Sequence, residues 1–262
     1  MKNLIVGGCS FSNDGISGSP PNKSPGGCSF FDYPDDNIKA REPSSWVGHV
    51  AKSLQVSSLV NLAAPSHGNI MTGYVLPELY RKFDYNPNNT LFLFNISNPL
   101  RLDVMTDWQH PDACQYIPWN GDLIPYTFLS RQSTRFEQVQ KHIGWQQIGL
   151  MNKHALSNLF DFFRANKLQY YFLMMQNYLE DDYIGSIIQD NIKHCISMPE
   201  QIGMFEFINT KGFRDADDLH PNAIGHRLIA EQVIKQLGVR KVGKASDFDS
   251  DMHRFESYTP CQ

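Results

Sequence analysis

Cysteine is sparse in this chain and badly placed for structural chemistry. The five are Cys9, Cys28, Cys114, Cys195 and Cys261, an odd number with no C-x-x-C pair. That pattern argues against a disulfide framework and against a thiolate zinc site. None of the nine histidines falls in an H-E-x-x-H or H-x-H spacing, so no metal is expected. Long apolar runs are missing as well. No stretch approaches the ~20 residues needed to span a bilayer, and the N-terminal MKNLIVGGCSFSNDG lacks the h-region of about 7–15 apolar residues that a secretory signal requires. The expectation is a soluble, cytoplasmic chain. An excess of positive charge is also lacking: the net charge is −4 with mixed signs throughout, which makes nucleic acid a poor partner. Walker, Rossmann and G-x-S-x-G signatures do not occur, which argues against nucleotide-binding folds and the α/β-hydrolase elbow.

What is present is an alternation. Five short, nearly continuous apolar runs, Leu4–Gly7, Ser58–Leu62, Leu91–Ile96, Tyr170–Met174 and Met204–Ile208, read as strands buried on both faces. Between them lie amphipathic segments of helical length. Trp46–Leu54 follows Ser44 and Ser45, Ile70–Phe83 follows Asn69, and Ile148–Ala165 and Ala223–Leu237 keep a helical stripe. Such alternation predicts an α/β fold with a parallel sheet, right-handed crossovers and chemistry at the carboxyl ends of the strands. Two long insertions interrupt it. Residues 13–43 are rich in Gly, Pro, Ser and Asp without a usable period, and residues 99–145 are dense in aromatics, which favours an ordered cap. One domain over 1–243 and a polar tail over 244–262 are expected.

The first strand ends in Gly7-Gly8-Cys9-Ser10, a serine held on a tight turn at the sheet's carboxyl edge. A serine hydroxyl needs a base to become a nucleophile. Asp217-Asp218-Leu219-His220-Pro221-Asn222 offers one, between the fifth expected strand and the last helix. Asp217, three residues earlier, can orient the imidazole, with Asp218 as the other candidate. Each piece alone is commonplace; their joint occurrence at the ends of the first and last strands is not.

On these residues the chain resembles the SGNH (GDSL-like) hydrolases over roughly residues 2–237, outside the insertions. Gly8-Cys9-Ser10 matches the serine block, Asn61 through Gly68-Asn69 the second block, and Asp217-x-x-His220 the last block. The resemblance implies a three-layer α/β/α sandwich with a five-stranded, flavodoxin-like parallel sheet. It also implies a carboxylic ester hydrolase without a cofactor, acting through Ser10, His220 and Asp217 on a small-molecule or glycan ester, with an O-acyl carbohydrate the commonest guess. Gly68 would supply an oxyanion N–H. In the third block, where the family shows Gly-x-Asn-Asp, this chain reads Asn95-Ile96-Ser97-Asn98-Pro99-Leu100-Arg101; Asn98 is the better oxyanion donor by register and Asn95 the second. Cys9 stands where the family has the Asp of GDSL, and reads as a small buried neighbour rather than a nucleophile. His67 either touches substrate or is a solvated loop residue. Arg101 either binds an anionic substrate group or, the safer reading, pairs with a loop carboxylate. The irregular third block also motivates a second reading, a catalytically retired module in a phage particle or surface assembly.

Overall fold

The computed structural model describes residues 2–12, 22–23, 29–34, 38, 42–63, 67–83, 85–106, 113–115, 127–129, 142–200, 202–215 and 220–238. Among them the strands are β1 (Asn3–Gly7), β2 (Asn22–Lys23), β3 (Ser29–Pro34), β4 (Ser58–Asn61), β5 (Thr90–Ile96), β6 (Val104–Thr106), β7 (Ala113–Gln115), β8 (Thr127–Leu129) and β9 (Gln169–Met174). The α-helices are α1 (Trp46–Leu54), α2 (Asn69–Phe83), α3 (Trp145–Ala165), α4 (Gly185–Asp190), α5 (Met204–Thr210) and α6 (Ala223–Gln236).

The main sheet runs in the order β2-β3-β4-β1-β5-β9. Its centre, β4-β1-β5-β9, is parallel, while β3 joins β4 and β2 joins β3 in antiparallel sense. The step from β1 to β4 moves one way along the sheet, and those from β4 to β5 and from β5 to β9 move the other. With right-handed crossovers this reversal puts helices on both faces: α1 packs on α6, and α2 packs on α3. The result is the expected α/β fold. The reversal also makes the carboxyl ends of β1 and β5 the switch point, where such sheets hold their ligands.

Four of the five expected strands form. The fifth, Met204–Ile208, is helical instead, as part of α5. Met204, Phe207 and Ile208 are its buried residues, and their i, i+3, i+4 spacing is helical. A run this short and apolar carries no decisive period. Beyond β9 the sheet continues only as isolated parallel bridges, Phe172 with Cys195 and Met174 with Gly203. The first insertion contributes β2 and β3 to the sheet edge. The second contributes a three-stranded antiparallel sheet, β6-β8-β7. Trp108, Tyr116, Trp119, Tyr126 and Phe136 of the expected cap lie outside the described residues, as does the polar tail. No helix among the described residues is long and apolar enough to cross a membrane.

Between β5, β9 and α3 the core is aromatic. Phe92, Phe94, Phe160, Phe163 and Phe172 are completely buried. Phe163 stacks on Tyr170 at 4.7 Å between centroids and lies 5.2 and 5.7 Å from Phe92 and Phe94. Such pairs add about 0.5–1.5 kcal/mol beyond the area they bury. This layer keeps β5 and β9 rigid beneath the loops that follow them. Phe163→Ala is therefore expected to cost about 3–5 kcal/mol of stability, read as a lower urea midpoint with little change in slope.

Candidate active site

Immediately after β1 the chain turns sharply. Gly8 has φ of +127°, and a Cβ there would sit 1.9 Å from Asn95 Oδ1, so both backbone conformation and space demand glycine. The turn becomes a 3₁₀ segment, Ser10–Ser12, and three elements hold it. Asn95, on β5, accepts from Cys9 N–H at 3.0 Å and from the Ser12 hydroxyl at 2.8 Å, and its Nδ2 donates to Cys9 Sγ at 3.1 Å. Asn61, at the end of β4, donates to the Ser12 carbonyl at 2.7 Å. Trp46, the first residue of α1, donates its indole N–H to the Phe11 carbonyl at 2.8 Å. Cys9 is completely buried, as a small neighbour of the serine would be.

These contacts correct one expectation. Asn95 is fully buried and both ends of its amide are turned into the serine loop, so it positions Ser10 and does not face a substrate. A lone amide inside the otherwise apolar Leu91–Ile96 run was the available signal for that role. Asn61, the lone amide of the Ser58–Leu62 run and the first residue of the second block, carried a comparable signal; nothing of the kind marked Trp46.

The histidine segment is closed just as firmly at its base. Asn222 N–H donates to the Phe213 carbonyl, Asp215 N–H to the His220 carbonyl, both at 3.0 Å, and Arg214 bridges Pro221. Asn222 caps α6 by accepting from Gly225 N–H at 2.9 Å. A Cβ on Gly225 would meet the Phe213 carbonyl at 2.5 Å, so that glycine lets the helix seat against the loop. His220 is half-buried, and its ring lies 5.3 Å from that of Phe11, centroid to centroid. The residue next to Ser10 and the expected base are thus in contact. Asp217 and Asp218 lie outside the described residues.

Behind this contact sit two more imidazoles. His226 Nδ1 accepts from the Trp46 backbone N–H at 3.3 Å, an acceptor role open only to the neutral ring. Burial first, then His49 and His220, hold its pKa down at about 4. Burial, with Arg227 next, holds His49 at about 4 as well. Ser44 and Ser45 were the expected caps of α1, but their hydroxyls are buried without a partner; the imidazole takes the orphan N–H instead. No group of three or more His, Cys, Asp or Glu among the described residues could hold a metal ion.

The third-block loop, residues 97–103, is fastened at both ends. Asn69 and Ser97 bond reciprocally, Ser97 N–H to Asn69 Oδ1 at 2.8 Å and Asn69 Nδ2 to the Ser97 carbonyl at 3.0 Å. Asn152, on α3, donates to the Arg101 carbonyl at 2.9 Å. Asp103 is buried and accepts from Gly68 N–H and Met71 N–H, both at 2.8 Å, capping α2 where Asn69 was the expected cap. Burial raises its pKa to about 6 against the pull of those amides and of Arg101.

Here too the structure differs from the sequence-based expectation. The Gly68 N–H, the expected oxyanion donor, is bound to Asp103. Asp103 was not legible beforehand, because only folding brings it to the start of α2. Asn98 is half-buried. Its Oδ1 accepts from Leu100 N–H at 2.8 Å and its carbonyl from Arg101 N–H at 3.0 Å, a closed turn that leaves Nδ2 without a hydrogen bond among the described residues. His67 is buried, not solvated, and burial and then Arg101 lower its pKa to about 3. Arg101 donates from Nη1 to the His67 carbonyl at 3.2 Å, and among the described residues it makes no ion pair with a carboxylate.

No protein-family model matches the chain, and no curated protein matches it. Among solved structures it is similar to a member of the lipolytic G-D-S-L family from Veillonella parvula (10% identity, TM-score 0.41, covering 90% of this chain and 97% of that one). It is also similar to a catalytic mutant of an acetylxylan esterase from Geobacillus stearothermophilus (13%, 0.45, 93% and 97%). A third is a lipase from a goat rumen metagenome (13%, 0.40, 93% and 100%). At this distance the site is read from the residues of this chain alone.

The arrangement brings a serine turn, a histidine and an amide donor to one edge of the sheet. Two outcomes follow from it. Asn95→Ala orphans the Cys9 N–H and the Ser12 hydroxyl, and should cost roughly 2–4 kcal/mol by urea denaturation. The second concerns acid. His49, His67 and His226 all have folded pKa values below the ordinary 6.5, so the unfolded chain binds more protons and stability falls as pH drops through 6.5 towards 4. Asp103, raised from 3.8 to about 6, works in the opposite sense between those values, but three histidines outnumber it. Tm measured by calorimetry is expected to fall steadily between pH 6.5 and 4.5; a flat or rising profile would contradict the neutral histidine cluster.

Proposed function

We propose that this chain is a serine hydrolase of carboxylic esters. The contact between His220 and Phe11 is the observation that carries this reading, since it supports a base beside the serine turn at the switch point of the sheet. His220 takes the proton from Ser10 Oγ, Ser10 attacks the ester carbonyl, and His220 returns the proton to the leaving alcohol. Water then releases the acid by the reverse sequence. Asp217 holds the imidazole in the productive tautomer. The developing oxyanion is bound by the Ser10 N–H and the Asn98 amide; Gly68, whose N–H is engaged by Asp103, is left out of that role. A single oxyanion donor is worth about 10²–10³ in rate, so Asn98 is decisive here. Short acyl groups on a carbohydrate are the substrate class that the SGNH resemblance favours.

Hydrolysis of p-nitrophenyl acetate by the wild type and by Ser10→Ala tests the proposal. The expected result is loss of at least 10³-fold in kcat in the variant, with a fluorophosphonate labelling the wild type at Ser10 only. Equal activity in the two proteins, or a label elsewhere, would remove Ser10 from the chemistry.

A further inference from the structure

The loop that carries Asn98 also carries an arginine that makes no salt bridge with a carboxylate among the described residues. Asn98 and Arg101 are the first and last residues of one hydrogen-bonded turn, Arg101 N–H to the Asn98 carbonyl at 3.0 Å, so both side chains leave from one closed turn. Arg101 is half-buried. Its Nη1 is spent on the His67 carbonyl at 3.2 Å, which orients the planar group and leaves the Nε–Nη2 edge, the side that binds oxyanions in bidentate fashion.

The obvious internal partner is already engaged. Asp103, two residues on, uses Oδ1 for Gly68 and Oδ2 for Met71, and the guanidinium makes no ion pair with it or with any other described carboxylate. His67, the remaining titratable neighbour, is buried, and its carbonyl is what Arg101 holds. The buried Asp103 carboxylate acts on this guanidinium without bonding it directly, so the Nε–Nη2 edge of a half-buried, oriented arginine is left for an anion that a ligand brings.

We infer that the substrate is an anionic ester, and that Arg101 binds its carboxylate through the Nε–Nη2 edge while the ester carbonyl lies against Asn98 and Ser10. This inference rests on the hydrolase reading and narrows it. The charge can belong to the acyl half, as in a dicarboxylate monoester, or to the alcohol half, as in an O-acetylated acidic sugar.

Two matched pairs separate the sources: mono-p-nitrophenyl succinate against p-nitrophenyl acetate, and O-acetylated glucuronic acid against O-acetylated glucose. In at least one pair the wild type should favour the anionic member in kcat/KM. Arg101→Gln should collapse that preference about 10- to 100-fold, mainly through KM, and Arg101→Lys should restore part of it, because charge returns without the fork. High salt should mimic the loss. A purely structural arginine would lower both members of each pair together, and that outcome, or a wild type without preference, overturns the inference. Calorimetric binding of succinate and glucuronate to Ser10→Ala, with and without Arg101→Gln, needs no turnover. If no ester is hydrolysed, the hydrolase reading fails, yet Arg101-dependent binding still supports the anion site and its absence refutes it.

Discussion

A single side-chain amide organises the serine turn. Asn95 projects from near the carboxyl end of a strand buried along its whole length, a position where an unpaired polar group would cost several kcal/mol. It is tolerated because each of its polar atoms finds a partner on the Gly8–Ser12 turn. The amide needs a glycine opposite it, since any Cβ at Gly8 would overlap Oδ1. The turn needs the amide, since Cys9 N–H and the Ser12 hydroxyl are buried and have no water to fall back on. Strand β5, through Asn95, therefore sets the direction in which the chain leaves β1.

Around that link the site is built from rigid parts. Trp46 fastens the turn to α1, and its own backbone N–H is met by His226 of α6, so the helix pair on one face is tied to the loop that carries Ser10. On the other side Asn69, Asn152 and Asp103 fasten the 97–103 loop to α2 and α3. Buried polar networks of this kind are high-stakes: fully satisfied, they fix one geometry. They place Asn98 and Arg101 on a turn whose backbone has little freedom, which is what a donor aimed at a developing charge requires. The same networks depend on a neutral imidazole, because His226 Nδ1 can accept from the Trp46 N–H only while it carries no proton.

Several assignments could be made from residues alone, and they share a physical basis. Apolar runs of strand length, amphipathic stripes and cap residues act over a few positions, so β1, β4, β5, β9 and the four long helices were legible in the sequence. The Gly-Gly-x-Ser turn and the distant His220 could be singled out as well, and the fold sets Phe11 of that turn against the His220 ring. The misassigned Met204–Ile208 run shows the boundary of that reasoning: five apolar-rich residues carry no decisive period, and in the fold the run is a helix whose Phe205 N–H reaches the Met175 carbonyl just past β9.

The sequence by itself determined the alternation of strand and helix, hence the α/β class, and the residue types from which the candidate site is drawn. Only the tertiary structure decided which of those residues are engaged in supporting bonds and which keep a donor uncommitted among the described residues. Asn95 and Gly68 carry donors of the right type at the right place in the chain, yet both are consumed by partners, Cys9 and Ser12 in one case and Asp103 in the other. Hydrogen bonding is short-ranged and directional, and its partners here lie 35 to 86 residues apart. Local pattern carries no record of such pairings; the fold makes them when it closes the sheet between its helices.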